Sequence, residues 1–159
     1  MASTLDPSQD RGDTEPMSSD ASSEAETNRQ LVLDAFERWT DGSAPISDLF
    51  ADDMRWRVEG NSMAARQYPD KATFFGELLG PFGERFADGE RFRPVVIRQV
   101  LADGDTVAVI WDGTGVANDG VRYDNSYAWI LRMRDGLVVD ATAFFDSIAF
   151  DRLWSRVTP

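Results

Sequence analysis

With 159 residues the chain supports one domain with a real core, and its formal charge of −12 argues against a nucleic-acid or anionic-membrane partner, both of which need a dense basic face. It contains neither Cys nor His, which excludes disulfides, thiolate nucleophiles, His-based triads and Cys or His zinc sites. No apolar run approaches the roughly 20 residues needed to span a bilayer.

The charge is unevenly spread. Residues 1–27 hold seven acids against one base and no aromatic residue, whereas the remainder holds 21 acids against 15 bases. Such a tail buries too little apolar surface to offset its ordering entropy, so we expect residues 1–27 to be disordered and residues 28–159 to form the domain. The Arg11-Gly12-Asp13 triplet within the tail reads as a chance match. The tail lacks the features of an export leader, which makes the cytoplasm the expected location. One lysine, Lys71, beside 15 arginines suggests a G+C-rich bacterial genome.

The ordered part opens with a capping-box pattern, Thr27 with Gln30, followed by Val32, Ala35, Phe36 and Trp39 at helical spacing. Asp41-Gly42 stops this helix. Pro45 to Phe50 reads as a short second helix, and residues 54–59 alternate apolar and charged in the manner of a half-buried strand. Asp70 caps a third helix carrying Phe74, Phe75, Leu78 and Leu79, which Gly80-Pro81 is expected to end. Four β-rich runs follow near 91–101, 106–116, 122–134 and 138–146, separated by Asp103-Gly104, Asp119-Gly120 and Asp135-Gly136. Helices first and then a meander predict an α+β fold, about three N-terminal helices packed on a curved, mostly antiparallel sheet.

Alternation along the strands separates two faces. One carries Ala108, Ile110, Asp112 and Thr114, then Ser126, Ala128 and Ile130, then Ala141, Ala143 and Phe145. Its small residues fit either close packing beneath helical aromatics or the floor of a hollow. The other face carries Val109, Trp111, Tyr127, Trp129 and Phe144. Left exposed, these would make an apolar patch of a size monomers rarely tolerate, so we expect a homodimer through Trp111, Tyr127, Trp129 and Phe144.

The order and spacing of several short pieces resemble the SnoaL-like, ketosteroid-isomerase-related proteins of the NTF2-like superfamily. These pieces are Leu49-Phe50-Ala51-Asp52-Asp53, Trp56 with Gly60, Tyr123-Asp124-Asn125-Ser126-Tyr127, Arg134-Asp135-Gly136 and Phe144-Phe145-Asp146. The resemblance covers roughly residues 28–155 and implies a cone in which helices and the concave sheet face enclose an apolar pocket, with the convex face often dimeric. Its catalytic sets do not carry over. The ketosteroid isomerase base position falls at about Val58, its Tyr at about Ala35 and its second Asp at about Ala128. The limonene-epoxide-hydrolase set retains one acid at Asp112, with Ile110 and Ala143 at the other two positions.

Chemistry, if the chain performs any, rests on what remains. Asp112 would be a desolvated general acid or base if it faces the hollow, and an ordinary surface carboxylate if it pairs with an Arg or faces water at a bulge near Gly113 and Gly115. Glu59 is a second candidate that needs a bulge to turn inward. Trp56, Val58, Met63, Tyr68, Phe36, Phe74, Phe82, Ile110, Ser126, Ala128 and Phe145 are the expected ligand-binding wall. No Gly-rich phosphate loop follows a strand, and we expect no cofactor and no metal. The expected partner is a small apolar molecule, transformed by acid–base catalysis or held without reaction; a dimerisation module filled by its own aromatics is the third reading.

Overall fold

The structure is a computed structural model and describes residues 19–159. The Arg11-Gly12-Asp13 triplet and most of the acidic tail therefore lie outside the described residues. Helix α1 (Ser19–Asp41) begins eight residues earlier than the capping-box pattern predicts, so part of the segment expected to be disordered is helical. Once a helix is nucleated by a packed segment, each added residue costs little, and Ala21, Ala25 and the acids Asp20, Glu24 and Glu26 suit its first turns. Gln30 donates to Asp34 at 2.8 Å instead of closing a capping box. The other end behaves as expected: Gly42 takes φ +80°, and the amides of Gly42 and Ser43 bond the carbonyls of Trp39 and Arg38. Buried Asn28 donates to the Gly104 carbonyl at 3.1 Å and ties α1 to a hairpin of the sheet.

A 3₁₀ turn (Ile46–Leu49) leads into β1 (Phe50–Val58), and the two-residue β2 (Gln67–Tyr68) folds back on it. The next helical stretch is compound: α2 (Lys71–Phe74), a π-helical turn (Phe75–Leu79) and α3 (Gly80–Gly83). Asp70 caps it as predicted, accepting from the Thr73 amide at 2.7 Å. Gly80-Pro81 does not end it. The wide turn sends the Gly80 amide to the Phe75 carbonyl, and Pro81 then sits in the first turn of α3, where its missing N–H costs nothing.

Strands β3 (Arg93–Asp103), β4 (Thr106–Val116), β5 (Arg122–Arg134) and β6 (Leu137–Phe145) occur within two residues of expectation, and helix α4 (Ser147–Arg156) closes the fold. The architecture is α+β, with a six-stranded sheet in the order β2-β1-β6-β5-β4-β3. All pairs are antiparallel except β1 with β6.

The faces of the sheet require a correction. The expected pairing of β4 with β5 is found, but Val107, Val109, Trp111, Tyr127, Trp129 and Leu131 point inward toward the helices. Ala108, Ile110, Asp112, Ser126, Ala128 and Ile130 point outward. On β6, Ala141, Ala143 and Phe145 face inward as expected. The cause is a bulge. Asp135 (φ 52°) and Gly136 (φ 79°) make a two-residue turn that pairs Arg134 with Leu137 and Met133 with Val138, yet Arg132 pairs with Asp140. Val139 is the extra residue. It reverses the parity between β5 and β6, so that Trp129 stands beside Ala143, and Ala128 beside Phe144.

Candidate functional site

Three helical pieces and the concave face enclose a cavity of about 760 Å³. Its floor is Trp56 and Val58 from β1, Trp111 from β4, Tyr127 and Trp129 from β5, and Ala143 and Phe145 from β6. Phe74, Phe75, Leu78, Leu79 and Phe82 from the compound helix form the roof. Trp39 with residues 45–47 bounds one side, and Phe86, Phe92 and Phe150 bound another. The cavity reaches solvent beside Gly83, Glu84, Asp88, Arg91 and Asn118, all of which are exposed. Arg91 is anchored there by donating to the Thr40 carbonyl at 3.0 Å.

The rigidity of the floor has a local origin. Trp39, Trp111 and Trp129 meet at 5.0–6.1 Å between ring centroids, mostly edge to face, and Phe36 packs behind them. Edge-to-face pairs of this kind add roughly 0.5–1.5 kcal/mol each beyond the area they bury. Gly113 and Gly115 face inward on β4; a Cβ at Gly115 would stand 2.6 Å from the Phe86 ring, and one at Gly113 would overlap the Phe92 ring. They admit those two rings to the sheet, and form no bulge that turns Asp112. The tightest stack is Trp111 on Tyr127, at 4.2 Å and 11° between planes.

Polar groups in the wall are few. Tyr127 Oη lies 2.9 Å from Tyr123 Oη, which accepts from Asn125 Nδ2 at 2.7 Å. Burial pushes Tyr123 up to about 12 and Tyr127 well above the ordinary phenol value, so both hydroxyls are neutral donors at physiological pH. The Trp111 indole nitrogen is buried with no hydrogen-bond partner among the described residues. Of the lining residues, only Glu84 and Asp88 are acids, and both are at the solvent opening.

The expected site residues divide by position. Trp56, Val58, Phe74, Phe82 and Phe145 line the cavity. Phe36 is fully buried behind the floor. Tyr68 is core, its hydroxyl donating to the Ala64 carbonyl at 2.9 Å, beneath the Arg66 guanidinium. Met63 is 62% exposed and outside, beside Ser155. Ile110, Ser126 and Ala128 are on the convex face, displaced there by the bulge.

Asp112 shares that convex face and does not reach the cavity. Arg98 Nε donates to it at 2.9 Å and Ser126 Oγ at 2.7 Å, and the Arg98 hydrogen bonds, then that of Ser126, hold its carboxyl below the usual carboxylate range. The pairing with an Arg weighed from the sequence is the arrangement found. Glu59 is turned outward with Arg57, whose Nε lies 2.5 Å from it. Of the four residues expected to form the dimer surface, only Phe144 is outside; Trp111, Tyr127 and Trp129 belong to the cavity floor. Asn125 also turns inward, and Asp146 caps α4 by accepting from Ile148 N and Ala149 N. The signal for the missed floor residues was present in their bulk: three large aromatics on two adjacent strands are more often interior than exposed.

Comparison with known proteins fits this geometry. The SnoaL-like domain matches residues 32–141. The chain belongs to the SnoaL-like family. Among solved structures it is similar to Bal32a, from a soil-derived mobile gene cassette, at 26% identity over 82% of this chain and 98% of that one, with a TM-score of 0.66. A cystatin-like-fold protein of Xanthomonas campestris shares 24% identity over 80% and 97% of the two chains, with a TM-score of 0.64. TerC, co-crystallised with polyporic acid, shares 20% over 81% and 98%, with a TM-score of 0.63. The last two likenesses establish the NTF2-like (cystatin-like) fold alone. No curated protein matches the chain. Among the described residues of this SnoaL-like protein, no helix is long and apolar enough to cross a membrane.

Proposed function

We propose that this SnoaL-like protein holds a small, mostly apolar molecule in the cone. One observation carries the reading: a cavity of about 760 Å³, walled mostly by aromatic and aliphatic side chains, remains open between helices and sheet although ten phenylalanines and five tryptophans were available to fill it. That volume lies within the usual range of ligand sites, and its persistence disfavours a module packed by its own aromatics. The inner wall holds no carboxylate among the described residues, which favours binding, or polarisation of the ligand by hydrogen-bond donors, over proton abstraction by a buried acid.

The test uses 1-aminoanthracene, whose emission rises in apolar surroundings. Saturable binding of one molecule per chain, lost in Ala143→Phe with its circular dichroism intact, is the expected result. Emission that never saturates would overturn the reading.

The second part of the proposal is a homodimer through the convex face, with corrected residues. Leu101, Ile110, Ile130 and Phe144 are 57%, 36%, 45% and 47% exposed and lie across four neighbouring strands, β3 to β6. A two-fold contact would cover this patch, with ion pairs such as Arg98–Asp112 and Arg55–Asp140 toward its edge.

A further inference from the structure

The direction of one hydrogen-bond chain has a consequence for what the cavity selects. Asn125 is fully committed: its Oδ1 accepts from the amides of Ser126 (2.7 Å) and Asp146 (3.1 Å), which fixes the orientation of the side-chain amide. Its Nδ2 hydrogens then go to the Asp146 carbonyl at 3.1 Å and to Tyr123 Oη at 2.7 Å. Tyr123 Oη, already an acceptor, has one remaining neighbour, Tyr127 Oη at 2.9 Å. Three donor groups therefore share too few acceptors, and one phenolic hydrogen is left over whichever way the Tyr–Tyr bond runs.

The surroundings decide where the surplus hydrogen goes. Tyr123 is enclosed by the rings of Phe82, Phe86 and Phe92, with centroids at 5.7–5.9 Å, and offers no space for an acceptor. Tyr127 lines the cavity. A chain running Asn125 to Tyr123 to Tyr127 leaves the free hydrogen on a residue of the cavity wall, where a ligand can supply the acceptor. Trp111, stacked face to face on Tyr127, adds a second buried donor, an indole N–H with no partner among the described residues. Buried donors without acceptors are costly, and two of them on contacting rings in the wall of a cavity point to a missing acceptor.

We propose that the Tyr127 hydroxyl is the hydrogen-bond donor that selects, among apolar molecules fitting the cone, those with an acceptor oxygen such as a ketone carbonyl. This rests on the cavity being a ligand site, and it names the ligand class: an apolar body with a carbonyl or comparable oxygen directed at the β4–β5 floor. Tyr127 acts here as a binding group; no bond is made or broken.

Two shape-matched probes test it, 2-acetylnaphthalene and 2-ethylnaphthalene, with affinities measured by calorimetry on wild type and Tyr127→Phe. The acetyl compound is expected to bind the variant about five- to tenfold more weakly, with no change for the ethyl compound. The carbonyl infrared band of bound 2-acetylnaphthalene should shift to lower frequency in the wild type, a readout that remains if Tyr127→Phe does not fold. An unshifted band, or equal weakening of both probes, overturns the donor assignment and leaves the cavity reading intact. Failure of the wild type to bind either probe would overturn the cavity reading itself, and this inference with it.

Discussion

The Trp111 indole and the Tyr127 phenol lie face to face on adjacent strands, 4.2 Å apart and 11° from parallel, and Tyr127 is in turn hydrogen-bonded to Tyr123. This arrangement buries two phenols in a single layer, and it makes the fold sensitive to alkali. Unfolded tyrosine loses its proton near pH 10, whereas Tyr123 holds its proton to about 12 and Tyr127 is shifted in the same direction. Between these values the unfolded chain binds fewer protons than the native one, so stability is complete below pH 10 and declines as pH rises toward 12. For Tyr123 alone the shift is worth a few kcal/mol, on the order of 3. Chemical denaturation at pH 9, 10 and 11 should show this decline, and Tyr123→Phe should flatten it.

Gly115→Ala is expected to destabilise the protein by about 1–3 kcal/mol, because a methyl group there collides with the Phe86 ring. At Gly76, in the π-helical turn, an added Cβ would meet nothing within 4 Å, so Gly76→Ala should change stability by less than about 0.5 kcal/mol. Urea midpoints of the two variants check the contrast. Equal effects would mean that the floor is not packed as described.

Asp112→Asn should leave binding of an apolar probe unchanged, because Asp112 faces away from the cavity and is paired with Arg98. Its effect is on acid stability. A carboxyl held below its ordinary pKa contributes stability above that ordinary value, and loses it as pH falls through the lowered one. The variant should therefore be less stable than wild type at neutral pH and converge with it in strong acid. The temperature midpoint measured from pH 7 to pH 2 follows this.

If the proposed dimer forms through the convex face, Ile110→Asp combined with Phe144→Asp should convert it to a monomer without altering the circular dichroism, since both side chains are exposed on the subunit. Sedimentation equilibrium at micromolar concentration is the measurement. A wild type that already sediments as a monomer would remove the dimer proposal.

The elements themselves could be read from the sequence because their signals are local: apolar spacing in α1, the Asp70 cap, and the Asp-Gly turns that delimit β3 to β6. The family resemblance was legible for the same reason. The faces of the sheet were not, since a face is a relation between strands. Asp135-Gly136 implies a two-residue turn and one parity, and the turn is there, but the unpaired Val139 reverses the parity three residues later. No side chain near Val139 announces the bulge. That one residue moved Ile110, Asp112, Ser126 and Ala128 to the outside and brought Trp111, Tyr127 and Trp129 within. The early start of α1 escaped for a different reason: composition measures whether a segment can fold alone, and residues 19–27 extend a helix that is packed elsewhere.

Four of the five tryptophans, Trp39, Trp56, Trp111 and Trp129, line the cavity, and the fifth, Trp154, is stacked against Phe150 and the Arg85 guanidinium outside it. The ultraviolet emission of the unlabelled protein is therefore dominated by the walls of its own chamber. Any guest that quenches, transfers or shifts that light reports its arrival directly, so a library of metabolites can be screened on the native chain with no dye and no assumption about chemistry.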